Sequence, residues 1–260
     1  LQEFLARGGR MLILLDPWKK IVTGQNQVEQ LVPWLNREFG VVCGDNIVIS
    51  PETKWNVELD MDASPFRENQ VESEFMGAFN KTHRITRGFD QTMLLTAART
   101  VAPADKIPEQ VSVTPLLRTK PTFFGETDLA TLSSTGKAVK TAEEQSGPLY
   151  MAVAVSRKWE TAAGASPQTR DARVVVVGDS DFASNAQLRV AGNLNFVLNA
   201  MAWLSENEDL IAIRPTGKED PPVILSKFNE RTVVYVAVLG TVQSVIALGL
   251  AVYLWRRRYQ

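Results

Sequence analysis

One cysteine and one histidine in 260 residues leave no set of side chains for an ordinary zinc site, which draws three or four ligands from these types. With Cys43 alone there is no internal disulfide, and a lone thiol reads as a small buried hydrophobe. His83, in the turn-like stretch HRITRGF, reads as a surface or turn histidine rather than a ligand or base. No phosphate-binding G-x-x-x-x-G-K-[ST] occurs: Gly136-Lys137 is followed by alanine, which excludes nucleotide hydrolysis through a P-loop. No G-x-S-x-G nucleophile elbow occurs either, since Gly178-Asp179-Ser180 lacks the second glycine. Charge of either sign is not in excess: 28 basic against 29 acidic residues give a net −1, so no nucleic-acid partner is implied. The chain starts at Leu1 with no basic or apolar leader, and residues 1–7 read as the tail of a helix stopped by Gly8-Gly9. The expectation is a chain that begins inside a domain, whose N-terminal part lies upstream.

What is present is a folded α/β chain, 45% apolar and 22% charged, proportions that suit a sizeable core. Residues 174–177 are four consecutive valines, a β-branched run of the kind buried on both faces of a sheet. Gly178 ends the run and Asp179-Ser180-Asp181 follow as a polar loop. Leu194, Val197, Leu198, Met201 and Leu204 then recur at helical spacing and predict one apolar stripe. Residues 10–15 (RMLILL), closed by Asp16-Pro17, form a second buried-strand candidate. Residues 27–39 put Val28, Leu31, Val32, Leu35 and Phe39 on one helical face with Gly40 as the stop, and residues 45–50 form a strand. Strand, helix, strand predicts a right-handed crossover between neighbouring parallel strands. The fold class expected is α/β, a mostly parallel, Rossmann-like sheet flanked by helices.

Between these anchors the signals are weaker. Residues 51–81 are acidic, with a short helix predicted over 70–80. Strands are predicted at 92–97, 111–119 and 148–155, residues 120–147 as a surface loop, and 160–170 as a flexible linker. Asn80-Lys81-Thr82 fits a glycosylation sequon, a pattern common by chance. Residues 209–213 are read as a last short strand, which sets the domain at 1–213, and the proline-bearing stretch 214–229 as an extended linker.

Residues 233–255 contain no charged side chain, and as a helix they measure about 34 Å, enough to cross a bilayer. Arg256-Arg257-Arg258 follow, with Trp255 and Tyr259 at the boundary. A transmembrane helix over 230–256 with a short cytoplasmic tail at 257–260 is expected. Lys227 and Arg231 precede the run, so the basic count favours a cytoplasmic C-terminus only slightly; residues 1–229 would then face the periplasm or exterior. Gly240, Gln243 and Ala247 share a face of this helix, small residues around one amide, as in helix–helix contacts within membranes.

VVVVGDSDFASN followed by a glycine-asparagine and NFVLNAMAWL, together with LARGGRMLILLDP and the segment VSVTPLLRT, resembles the gliding-motility-associated ABC transporter auxiliary family. The resemblance spans most of the chain. It implies an inner-membrane component of an ABC-type transport system with a separate permease and ATPase as partners, an outward α/β domain likened to intraflagellar-transport-like modules, and the same outward orientation. It implies no cofactor and no catalytic residues.

The residues singled out for chemistry are Asp16, Asp179, Ser180 and Asp181. All follow apolar strands, and in open α/β sheets ligands bind beyond the carboxyl ends of strands. Three carboxylates there suit a cation, sugar hydroxyls or a partner's basic residue. Aspartate and serine are also the preferred turn formers and caps where strand passes into helix, and both readings stand at this point. Phe182 reads as the core residue that holds the loop down. Three functions follow: a ligand- or partner-binding transport accessory, a carboxylate- or metal-assisted hydrolase using Asp16, Asp179 and Asp181, or a structural tether in an envelope complex.

Overall fold

The structure, a computed structural model, describes residues 1–17, 30–50, 56–59, 78–159, 170–206, 235 and 240–258. It divides into two units, Leu1–Glu219 and Asp220–Gln260. In chain order the first unit carries α1 (Gln2–Ala6), β1 (Arg10–Leu14), α2 (Leu31–Phe39), β2 (Val41–Cys43), β3 (Ile47–Ile49), β4 (Asn56–Leu59) and β5 (Met93–Thr96). Then come β6 (Val101–Pro103), β7 (Val111–Arg118), β8 (Phe124–Glu126), α3 (Leu129–Thr135), β9 (Tyr150–Trp159), β10 (Arg170–Val177) and α4 (Asn193–Leu204). The second unit holds α5 (Thr241–Arg258).

The central sheet has the order β1-β10-β9-β7. Its valine strand lies inside, as expected: Val174, Val175, Val176 and Val177 are all fully buried. Val175 and Val177 join one core with Phe182, Phe196, Trp203, Met93 and Leu95, while Val174 and Val176 join the other with Leu5, Leu35, Phe39 and Cys43. Helix α4 thus covers one face and α1 and α2 the other. Each fully buried valine contributes about 1.5–3 kcal/mol, and a run covered on both faces needs no polar alternation.

The pairing departs from a mostly parallel sheet. Only β1–β10 is parallel in it; β10–β9 and β9–β7 are antiparallel, so the sheet is mixed. The reason is connection length. Residues 160–169 alone join β9 to β10, too few for the crossover that a parallel pair needs. The crossover expected between β1 and residues 45–50 is also absent: β3 pairs antiparallel with β8 in a ladder of its own. Strand β1 takes β10 as its parallel neighbour instead and stands at the end of the described sheet; of its five residues only Ile13 is buried, so it is a half-covered end strand rather than the buried strand expected.

Three further readings change. The stretch 120–147 is not a plain loop. It holds β8 and α3, whose Asp128 side chain accepts the Thr131 N–H at 3.0 Å and whose stop is Gly136 at φ 68°. On α4 the core face is Asn193, Phe196, Ala200, Trp203 and Leu204, while Leu194, Leu198 and Met201 are 37–51% exposed. Phe196 and Trp203 bring more apolar area per residue than the leucines and take the interior, and only Leu204 of the expected stripe goes fully with them. Phe79 forms an isolated bridge with Leu117 rather than ending a helix; the rest of that expected helix, 70–77, lies outside the described residues. So do Val28, the strand at 209–213 and the linkers at 160–169 and 214–229. Helix α2 therefore begins at Leu31 and ends on Gly40 at φ 62°, the left-handed stop its sequence calls for.

Among the described residues no helix is long and apolar enough to cross a membrane. Helix α5 covers the C-terminal part of the expected span, and residues 230–234 and 236–239 of that span lie outside the description. Its large apolar side chains from Val245 to Trp255 are 48–69% exposed and stand on every side of the helix.

Candidate functional site

The four residues flagged from sequence sit together beyond the C-terminal ends of β1 and β10. The parallel register aligns Leu14 with Val177, so the two chains leave the sheet side by side. Asp16 then meets Ser180: the Ser180 N–H donates to Asp16 Oδ1 at 2.6 Å, and the Ser180 hydroxyl donates to Asp16 Oδ2 in a short bond. Both oxygens of Asp16 are thereby engaged by one residue, 164 positions away in sequence.

Asp179 turns inward. Its side chain is fully buried, Oδ2 accepts the Thr96 N–H at 2.7 Å, and Oδ1 accepts the Asp181 N–H at 2.8 Å. Burial pushes its carboxyl up to about 7; the two N–H groups oppose the rise, and the nearby charges of Asp16 and Asp181 add to it. Asp181 is raised as well, by burial and then by Asp16, but its side chain lies at the surface. It opens the 3₁₀ turn Asp181–Ala183, which Phe182 pins into the core.

The strand end is fixed by a close crossing. The Gly178 carbonyl accepts the Arg99 N–H at 2.7 Å and the Gly178 N–H donates to the Met151 carbonyl at 2.9 Å. A Cβ at Gly178 would stand 2.1 Å from the Arg99 carbonyl oxygen, so only glycine fits. Arg99 itself donates from Nε to the Gly44 carbonyl at 2.7 Å.

Chemically, the two inner carboxylates act as acceptors for the fold's own donors. Asp16 and Asp179 tie β1, β10 and the end of β5 to one another, and the groups facing solvent are Asp181 and the half-exposed Asp16 and Ser180. Among the described residues no three His, Cys, Asp or Glu side chains converge to hold a metal ion. Thr96, and Gln187 whose Oε1 accepts the Thr96 hydroxyl at 3.0 Å, complete the cluster. Sequence reasoning missed both, since the Asp179 contact to Thr96 spans 83 residues and has no local signal.

Two other sites were not legible. Glu126 and Glu144 are buried as a pair. Glu144 accepts the Thr127 and Thr141 N–H groups at 3.1 and 2.7 Å, and Glu126 accepts the Asp128 N–H at 2.7 Å. Burial raises Glu126; burial also pushes on Glu144, but its backbone donors outweigh that and hold it low. Asn80, of the sequon, is fully buried: its Oδ1 accepts from the Thr82 N–H and hydroxyl, both at 2.8 Å, so that asparagine is a turn former. His83 lies in the following turn, half-buried with its ring 5.1 Å from that of Trp203. Cys43 is buried, and burial pushes its thiol up to about 11. Of the expected helix-contact face, Gln243 and Ala247 are exposed on α5 and Gly240 lies just before its start.

Comparison with known proteins adds a family. No curated protein matches the chain. Among solved structures it is similar to the "mmIFT52 N-terminal domain", with 11% identity, 78% of this chain and 68% of that one covered, and a TM-score of 0.42. The description "ABC-type uncharacterized transport system" matches residues 1–212, which takes in β1, β10, α4 and the carboxylate cluster between them. By that match the chain belongs to the ABC-type uncharacterized transport system family.

Proposed function

We propose that this protein is a membrane-anchored auxiliary component of an ABC-type transport system, related to gliding motility, with its α/β unit on the periplasmic or exterior side. Family membership supports the transport role. The observation that carries the anchoring is α5, a helix with exposed large apolar side chains on every side. Such a helix is stable only inside a core or a bilayer. Its 18 residues measure about 27 Å, and the charge-free sequence continues upstream to residue 233. Arg256, Arg257 and Arg258 at its end support a cytoplasmic C-terminus.

On this reading a separate permease and a separate ATPase complete the system, and the α/β unit engages a partner or ligand. Gly240, Gln243 and Ala247 form the face that meets a permease helix, where a lipid-facing amide would be costly. The hydrolase reading draws no support from the carboxylate cluster, because Asp16 and Asp179 already accept hydrogen bonds on both oxygens.

Two experiments test the proposal. Protease added outside spheroplasts should remove the α/β unit and leave residues near Arg256 protected; the reverse pattern reverses the orientation. Replacing the span by polyleucine should reduce co-purification with the permease, and Gln243→Leu should weaken it by about 0.6–2 kcal/mol. Undiminished co-purification of the polyleucine chain assigns recognition to the α/β unit instead.

A further inference from the structure

The segment 136–147 leaves α3 at Gly136 and returns along β8 before β9 begins. Backbone bonds hold its far end: the Gly125 N–H donates to the Gln145 carbonyl at 3.0 Å, and the Gly147 N–H to the Phe123 carbonyl at 2.7 Å. Nearer its middle the tether is a side chain. Glu144 Oε1 accepts the Thr127 N–H at 3.1 Å, just beyond β8, while Oε2 accepts the Thr141 N–H at 2.7 Å within the segment itself. Ala138 packs on the small core of Ile47, Ile49, Phe124, Leu129 and Leu132.

A second carboxyl group meets Glu144 there. Glu126, at the end of β8, accepts the Asp128 N–H at 2.7 Å. Thr127 and Asp128 are consecutive, with Cα atoms about 3.8 Å apart, so the carboxyl groups bonded to their N–H groups are neighbours. The two side chains share a hydrogen bond, and both residues are buried. Carboxylates only accept, so that bond needs a proton on one of them; with both ionised, the two groups repel. The proton belongs to Glu126. Burial raises its pKa against the pull of the Asp128 N–H, and Glu144 and Asp128 raise it further. Burial pushes on Glu144 too, but the Thr141 and Thr127 N–H groups outweigh it and keep that carboxyl low. The other charged groups around the pair are at the surface. Asp128 caps α3 and accepts the Thr131 N–H; Asp45 precedes β3, whose Ile47 is the register partner of Glu126; Lys137, Lys140 and Glu143 lie on the segment.

We propose that Glu126 and Glu144 form a one-proton latch that holds the segment 136–147 against β8 and α3 and lets its middle go when the pair loses that proton. The raised Glu126 contributes stability that is fully present below its ordinary 4.5 and is lost as pH climbs through its folded value. The lowered Glu144 contributes stability that is present above 4.5 and is lost as pH falls through its folded value. Between those two values the latch is closed. Its release lifts Ala138 off the small core, so the exposure of that apolar surface follows the pH around the protein.

The test is amide exchange of the full chain, followed by NMR from about pH 4 to about pH 9, with each rate divided by its intrinsic value. The Thr127 and Thr141 amides report the latch, and the Leu94 amide, bonded to buried Asn193, reports opening of the whole unit. Relative to Leu94, protection of Thr127 and Thr141 should fall about tenfold as Glu126 ionises, the factor that one unit of coupling between the carboxyl groups gives. Glu126→Gln keeps the acceptor for the Asp128 N–H and offers Glu144 a permanent N–H donor, so the alkaline loss should vanish. Carboxyl NMR of the wild type, which needs no variant to fold, should show Glu126 and Glu144 titrating as a coupled pair. The proposal is overturned if Thr127 and Thr141 follow Leu94 at every pH, if Glu126→Gln keeps the alkaline loss, or if the two carboxyl groups titrate independently.

Discussion

Asp179 should make the fold less stable as pH rises through neutrality. Its carboxyl is fully buried and titrates near 7 instead of the ordinary 3.8. The folded chain therefore holds a proton that the unfolded chain releases, and stability contributed by the neutral form is lost as pH climbs through the folded value. For these two pKa values, linkage gives a loss of roughly 2–3 kcal/mol between about pH 5 and about pH 8. Other groups titrate nearby. His83, depressed from 6.5 to about 4, has the opposite sign: its contribution is lost as pH falls below the ordinary histidine value. The informative quantity is thus the difference between wild type and Asp179→Asn, measured by urea unfolding of the full chain at each pH. Asparagine imitates the neutral acid but sets an amide N–H against one of the two backbone donors, from Thr96 or Asp181, a penalty of about 1–3 kcal/mol that does not vary with pH. Wild type should therefore lead the variant at about pH 5 and lose that lead by about pH 8. A difference that stays flat, or grows with pH, would refute a buried neutral carboxyl and mean that Asp179 is ionised within the fold.

Further substitutions probe other parts of the argument. Gly178→Ala drives a Cβ onto the Arg99 carbonyl and should cost about 3 kcal/mol or more, read as a collapse of the urea midpoint. Phe196→Ala should cost about 3–5 kcal/mol, while Leu198→Gln on the exposed side of α4 should change unfolding by less than about 0.5 kcal/mol; equal effects would contradict the observed helix face. Arg157→Ala removes the 3.0 Å pair with Glu38 and the stacking over Trp159 at 3.8 Å, and should lower stability by about 1–3 kcal/mol. In that variant the Glu38 pKa, held down chiefly by the Arg157 hydrogen bond, should rise when followed by carboxyl NMR.

Much of the frame was legible because it rests on local chemistry. The valine run, the strand at residues 10–14, Gly40 as a helix stop and the polar turn after Gly178 all declare themselves within a few residues. The strand directions did not, because pairing depends on which distant segment arrives, and only the short 160–169 connection hints at an antiparallel hairpin. The face of α4 was misread because the helix is apolar almost all round; the decision fell to two aromatics and to Asn193 and Asn199, which are buried yet hydrogen-bonded to the backbone at Leu94 and Ile85. The grouping of Asp16 with Ser180 followed from placing both after parallel strands. That their oxygens would be engaged inside the fold depended on Thr96 and on the register, neither of which has a sequence signature.

The parallel pairing of β1 with β10 has a consequence for how the chain is made. Its hydrogen bonds and the Asp16–Ser180 contact join β1 and the turn after it to residues about 160 positions later. At ordinary ribosomal speeds β1 waits on the order of ten to thirty seconds before its partner exists. During that interval its apolar residues Met11–Leu15 are without their neighbour, in a segment whose contacts are among the most distant in the unit, and distant contacts form slowly. The same register that brings Asp16 to Ser180 thus makes β1 a strand that cannot settle into its place until the chain beyond β9 exists.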